Sequence, residues 1–183
     1  MSFYCEYAMD LVSKIRTVDD FPSPGIKFLD VTSILLDPGL FNQTIKALEK
    51  IAVNNNVQSI VGIDARGFVW AGAVASRLHC PLFLARKPGK LPGNIVTQEY
   101  QTEYSTASLS MIRQDNITGP VMVIDDILAT GGTLSAVGSL LTKNWNIPAS
   151  DQIHATLVSL DFLPGFKNLS QAGYKVVALD HLN

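Results

Sequence analysis

Thirteen consecutive residues, Val121-Met122-Val123-Ile124-Asp125-Asp126-Ile127-Leu128-Ala129-Thr130-Gly131-Gly132-Thr133, constrain this chain more than any other stretch. Four apolar residues in succession predict a strand, Val121–Ile124, buried on both faces, as in parallel sheets covered by helices. Two carboxylates follow where that strand is expected to leave the sheet, and in open α/β sheets ligands bind at the carboxyl ends of strands. Ala129 to Thr133 then place small residues directly before a helical stretch. Small side chains let backbone N–H groups converge on an anion, and a helix N-terminus adds a favourable partial charge. Thr130 and Thr133 add hydroxyl donors. The loop contains no lysine, so it is not the GxxxxGK[ST] nucleotide cradle, nor does it read GxGxxG. Ionised Asp125 and Asp126 only accept hydrogen bonds, which suits a vicinal diol. A diol clamp followed at once by an anion cradle matches a ribose 5-phosphate group. Two helix-capping aspartates and a Gly-Gly turn would account for either pair alone, but leave the full segment a coincidence.

Similar alternation surrounds this segment. Gln58–Ile63 and Pro81–Ala85 read as short strands with a small-residue helix, Gly67–Leu78, between them. Leu134–Lys143 reads as a helix, Ile153–Leu160 as a strand and Tyr174–Leu179 as a last strand. Strands separated by helices imply βαβ units and an α/β fold with a central, mostly parallel sheet flanked by helices. Asp37-Pro38 supplies a helix cap and a first-turn proline, with Leu40, Ile45, Leu48 and Ile51 down one side. Tyr4–Ile15 has apolar residues near helical spacing and predicts a first helix. Phe21–Gly25 must be loop, followed by a short apolar piece, Ile26–Val31. Lys87–Gly93 is loop, and Tyr100–Met111 alternates weakly, as an exposed hairpin does. The chain reads as a single domain, 1–183, with no internal repeat.

Fourteen basic and 16 acidic side chains nearly balance, so no broad field exists to grip nucleic acid or an anionic membrane, and phosphate affinity must be local. No apolar run reaches the roughly 18 residues of a membrane span. Glu6, Asp10, Lys14 and Arg16 exclude a signal peptide at the N-terminus. Cys5 and Cys80 form no CxxC pair and read as reduced, mostly buried thiols of a cytoplasmic protein. His79, His154 and His181 lack ligand spacing, so no dedicated protein metal site is expected.

The segment Val121–Thr133 resembles the 5-phosphoribosyl-1-pyrophosphate (PRPP) motif of the type I phosphoribosyltransferases. Four further stretches are similar to segments of one branch of that family, the adenine phosphoribosyltransferases. They are Phe21–Asp30, Ala65-Arg66-Gly67-Phe68, Arg86–Gly93 and Glu103-Tyr104, in the family's order. The resemblance implies the type I fold, with a small N-terminal hood at about residues 1–35 and a flexible catalytic loop at about 94–110. It implies transfer of the phosphoribosyl group from PRPP to adenine, giving AMP and pyrophosphate, in a cytoplasmic homodimer of purine salvage. Another nucleobase, or a PRPP-sensing regulator without turnover, stands as the alternative.

The same resemblance distributes roles. Asp125 and Asp126 hold the ribose, and Ala129, Thr130, Gly131, Gly132 and Thr133 hold the 5-phosphate. Arg66, Lys87 and Tyr104 take the pyrophosphate. Arg66 and Lys87 each follow a predicted strand, and Arg66's planar fork matches phosphate oxygens. Glu103 exchanges a proton with the base when the loop closes. Together with Arg66 it makes up the catalytic pair. Ile26, Lys27, Phe28, Leu29 and Ile127 enclose the adenine, largely through backbone groups. Mg²⁺ is expected, held mainly by PRPP and pyrophosphate oxygens. An unusual cis peptide is expected near Asp64–Arg66. Two positions depart from the family pattern: Leu29 stands where an arginine is usual, and Ser105 where a glycine follows Glu-Tyr.

Overall fold

The short apolar runs pair side by side, as a parallel sheet requires. The computed structural model describes residues 7–21, 23–25, 27–101 and 106–183. Strands β3 (Ser59–Ile63), β4 (Leu82–Ala85), β7 (Val121–Leu128), β8 (Gln152–Leu160) and β9 (Lys175–Leu182) form one sheet in the order β4-β3-β7-β8-β9. Every neighbouring pair in it is parallel. All of β3 and nearly all of β8 are buried, which explains why these runs lack polar alternation.

Side chains on successive residues of a strand point to opposite faces, and two cores result. Ile60, Met122 and Ile124 join α1 (Pro38–Asn54) and α2 (Gly67–Leu78) through Leu48, Ile51, Trp70 and Val74. Val61, Val121 and Val123 join α3 (Gly132–Trp145) and α4 (Gly165–Gln171) through Val137, Leu140, Leu141 and Leu169. Asp37 caps α1, its carboxylate accepting from Gly39 N–H at 2.9 Å and Leu40 N–H at 3.0 Å, with Pro38 in the first turn. That cap and proline agree with the sequence.

Two smaller antiparallel pairs sit outside the main sheet. β1 (Arg16–Asp19) pairs with β2 (Lys27–Asp30), setting Arg16 opposite Asp30. Arg16 Nε donates to Asp30 at 3.0 Å, and Asp30 also caps the 3-10 turn Val31–Leu36 by accepting from Thr32 N–H. The Thr32 hydroxyl, and then Arg16, hold the Asp30 carboxyl below its ordinary value. The second pair is a hairpin of β5 (Ile95–Gln101) and β6 (Thr106–Ile112), longer than the expected Tyr100–Met111. Arg86 bridges to Ser110, tying the hairpin to the end of β4.

Two expectations change, and one helix is added. Over residues 7–15 the chain is not the first helix expected across Tyr4–Ile15; Tyr4 to Glu6 lie outside the described residues. Instead Met9 N–H donates to the Leu179 carbonyl, and Leu11 and Val12 N–H both donate to the Asp180 carboxylate at 2.7 Å. A charged acceptor on β9 captures the backbone and outweighs weak local propensity. β7 runs on through Leu128 because β8 keeps pairing with it as far as Leu128↔Ser159. Asp125 and Asp126 therefore lie within the strand's last residues rather than beyond it. Finally, α4 was not legible, being seven residues long and opening on a glycine. Among the described residues, no helix is long and apolar enough to cross a membrane.

The sheet also buries a titratable group. His154 on β8 is fully buried, with its ring 4.4 Å from that of Tyr174 and Nε2 3.2 Å from Gln152 Oε1. Burial lowers its pKa from 6.5 to about 3. A depressed pKa means that the unfolded chain binds the proton first, so stability present above about pH 6.5 is lost as pH falls toward 3. Between about pH 7.5 and about pH 5 this group alone is expected to remove about 2 kcal/mol of unfolding free energy. Urea denaturation at the two pH values checks this. His154→Phe should lose correspondingly less stability over that interval, and an identical pH dependence in both proteins would refute the assignment.

Candidate active site

The carboxyl ends of β3 and β7 lie side by side, and the chain turns sharply into α2 after the first of them. A Cβ on Gly67 would sit 2.6 Å from the Ile124 carbonyl oxygen. Only glycine lets the start of α2 press against β7 this closely. The peptide Asp64–Ala65 just before it is cis, in the stretch where the resemblance led one to expect it. The result places Arg66 over the end of β7, where its Nε forms an ion pair with Asp126 Oδ2. Asp126 is only 4% exposed. Asp125 is hydrogen-bonded through its Oδ1 to the Asp126 N–H at 2.9 Å. Burial pushes the Asp125 carboxyl well above the usual carboxylate range, the neighbouring Asp126 charge adds to this, and Arg66 partly opposes it.

The N-terminal pair leans over the same spot. The Arg66 guanidinium lies 5.7 Å from the centre of the Phe28 ring, and that ring meets Phe21 edge-on at 5.1 Å. Sequence positions 28, 66 and 126 thus meet in space. Lys27 is exposed, whereas Leu29 is buried in the core beside α1 and α2, and Ile127 packs against that same core. Ile26, Glu103 and Tyr104 lie outside the described residues.

Beyond β7, Gly131 adopts φ +82°, a left-handed value that favours glycine, and α3 begins at Gly132. Ser135 N–H donates to the Gly131 carbonyl at 2.9 Å, starting the helix. A cavity of about 70 Å³ opens here, with Asp125, Ile127, Ala129, Thr130, Gly131 and Thr133 in its walls. Its backbone donors and threonine hydroxyls suit an anion at a helix start. Just past the ends of β3 and β4, Arg86 Nε reaches Asp64 Oδ2 at 3.2 Å and its Nη1 donates to the Lys90 carbonyl. Arg86 is therefore committed to holding its own loop, while Lys87 beside it is exposed.

Among the described residues no cluster of three or more His, Cys, Asp or Glu could hold a metal ion. Asp125 lies in the cavity wall beside the Thr130 and Thr133 hydroxyls, and Asp126, next along β7, is paired with Arg66. That donor set fits a cation carried by phosphate oxygens and water rather than one caged by protein.

Residues 31–144 match the family model of the phosphoribosyl transferase domain. The adenine phosphoribosyltransferase of Chlorobium phaeobacteroides (strain BS1) is 41% identical over 174 residues, covering 93% of this chain and 97% of that protein. The chain belongs to the adenine phosphoribosyltransferase family. Among solved structures, the adenine phosphoribosyltransferase of Thermoanaerobacter pseudethanolicus superposes with a TM-score of 0.82 at 35% identity, covering 93% of this chain and 96% of that one. That of Giardia lamblia, complexed with 9-deazaadenine, gives 0.84 at 28% identity, covering 93% and 95%. The fold is thus the type I phosphoribosyltransferase fold. Against the adenine phosphoribosyltransferase pattern, the Leu29 departure is absorbed by the apolar core, since that side chain is buried among α1 and α2 residues.

The missed contributor is α4. Gly165 N–H donates to the Ala129 carbonyl at 3.2 Å, bringing this helix against the anion loop. Pro164-Gly165 carried a turn signal, but nothing in the sequence pointed it at residues 129–131.

Proposed function

We propose that this chain transfers the 5-phosphoribosyl group of PRPP to adenine, releasing AMP and pyrophosphate, in purine salvage. The observation carrying this reading is the contiguity of two carboxylates and an anion loop at one strand end, facing Arg66 and Phe28. In the reaction the bond from ribose C1 to the pyrophosphate oxygen breaks, and a base nitrogen forms the new bond to C1. Positive charge develops on the sugar and negative charge on the leaving group.

The residues divide these tasks. Asp125 and Asp126 accept from the ribose hydroxyls and fix the sugar. The backbone of Ala129 to Thr133, with both threonine hydroxyls, anchors the 5-phosphate. Arg66 leaves Asp126 for the pyrophosphate oxygens, which its planar fork can meet bidentately; exposed Lys87 adds to this, as does Tyr104. Mg²⁺ bound to the phosphate oxygens would offset their charge and favour departure of the leaving group. Lys27, Phe28 and Leu29 of β2, with Ile26 and Ile127, bound the adenine through backbone and ring contacts. Glu103, on a loop at about 94–110, exchanges the proton that the base must gain or lose. Loop closure and the hood at about 1–35 exclude water, protecting the activated sugar from hydrolysis. We place the protein in the cytoplasm as a homodimer of single-domain chains. Exposed Leu82 and Leu84 on β4, the end strand of the main sheet, support a partner there.

The test is pyrophosphate release from PRPP and Mg²⁺ with adenine, hypoxanthine, guanine or orotate supplied separately. Release with adenine alone, matched by AMP and abolished by chelation, is the expected result, from a preparation sedimenting at twice the mass of the 19.9 kDa chain. Turnover with another base, or PRPP binding with no turnover at all, would overturn the assignment.

A further inference from the structure

The anion loop does not stand by its own hydrogen bonds. Its floor is α4, whose first residue is in backbone contact with three consecutive loop residues. A Cβ on Gly165 would fall 2.2 Å from the Ala129 carbonyl oxygen and 2.8 Å from both Thr130 C and Gly131 N. These are backbone atoms, so no side-chain rotation relieves the overlap. From the other side, a Cβ on Gly131 would lie 3.2 Å from Gly165 Cα and 3.3 Å from Leu169 Cγ. Leu169 is buried in the core shared with α3, so α4 is fixed from below and cannot retreat. The Gly165 N–H to Ala129 carbonyl bond locks the two segments together.

We infer that Gly165 is a positioning residue for the 5-phosphate: it sets the height of the Ala129–Gly131 backbone on which anion binding depends. This rests on the phosphoribosyltransferase reading above. A side chain at 165 must lift the loop, moving its N–H groups off the phosphate while leaving the base pocket on β2 untouched. The defect therefore falls on one subsite. A merely structural glycine would lower stability without that selectivity, and Gly138 provides the comparison. A Cβ there meets the Tyr174 hydroxyl at 2.6 Å in the same α3/α4 core, away from the anion loop.

The experiment compares wild type, Gly165→Ala and Gly138→Ala by steady-state kinetics, melting temperature and calorimetric binding of ribose 5-phosphate. Gly165→Ala should raise KM for PRPP and weaken ribose 5-phosphate binding by about tenfold or more, because overpacking is relieved by backbone shifts and those shifts fall on the anion loop. Its KM for adenine should stay within about twofold of wild type, a difference of under about 0.5 kcal/mol. Gly138→Ala should lower the melting temperature while keeping the wild-type KM for PRPP. Should Gly165→Ala fail to fold, Leu169→Val decides, since trimming the prop under Gly131 loosens the same loop and should weaken ribose 5-phosphate binding selectively. Unchanged ribose 5-phosphate affinity in the variant that folds, or equal losses for PRPP and adenine, would overturn the inference. Failure of wild type itself to bind ribose 5-phosphate would overturn the underlying reading as well.

Discussion

Asp126→Ala is expected to weaken PRPP binding on the order of 100-fold while leaving the fold intact. A hydrogen bond to a charged acceptor contributes about 1.5–3 kcal/mol, and about 1.4 kcal/mol is tenfold in affinity. Loss of one or two such bonds to the ribose hydroxyls gives that magnitude. The same substitution has a second, opposite consequence. In the free protein the Asp126 carboxylate is paired with Arg66, so the guanidinium assigned to pyrophosphate is held by the carboxylate assigned to the ribose. Binding PRPP must separate them. Without the carboxylate, Arg66 no longer has to leave a partner, and pyrophosphate alone should bind no more weakly than in wild type. Calorimetry with PRPP and with pyrophosphate separates the two effects, and circular dichroism monitors the fold. A parallel loss for both ligands would mean that Asp126 acts only by placing Arg66. Unchanged PRPP affinity would remove it from the ribose site altogether.

Much of this arrangement could be read from the sequence because its determinants are local. Four apolar residues, two carboxylates and a run of small residues before a helix specify strand, turn and helix start within one segment, and Asp37-Pro38 marks α1 by the same kind of local rule. The parallel sheet followed from alternation, and its carboxyl-end cluster followed from the sheet. What stayed hidden depended on contacts between distant segments. Residues 7–15 carry a helical spacing, but Asp180, far along the chain, takes the Leu11 and Val12 N–H groups. Asp125 and Asp126 were expected just beyond a strand that in fact continues through Leu128, because strand length is decided by the partner β8. Gly165 looked like any turn glycine. Its importance appears only when Ala129 and Gly131 are seen against it. The ion pair of Arg66 with Asp126 joins residues 60 positions apart: an arginine beside a carboxylate can be expected from the sequence, but no local pattern names buried Asp126 as the partner.

Glu103→Gln is the second substitution with a large expected effect, and it acts on rate rather than on binding. Glutamine keeps the size and hydrogen-bonding shape of glutamate but cannot take or return a proton near neutral pH. General acid–base catalysis contributes roughly 10²–10⁴ in rate, so kcat with adenine should fall by that factor. PRPP binding should change little, because its ribose, phosphate and pyrophosphate contacts are assigned to residues 66, 87, 104, 125, 126 and 129–133. This separation distinguishes a proton-transfer role from a structural one: a variant that merely unsettled the loop would expose the activated sugar to water. The pH dependence supplies the independent check. In wild type the carboxylate's own ionisation should appear as one limb of the kcat profile, and in Glu103→Gln that limb should vanish. Steady-state rates across pH, with PRPP affinity measured alongside, read both outcomes. Wild-type kcat in the variant would remove Glu103 from the chemistry. An unaltered pH limb with a lowered rate would assign the proton to another group and leave Glu103 a loop residue that helps the site close.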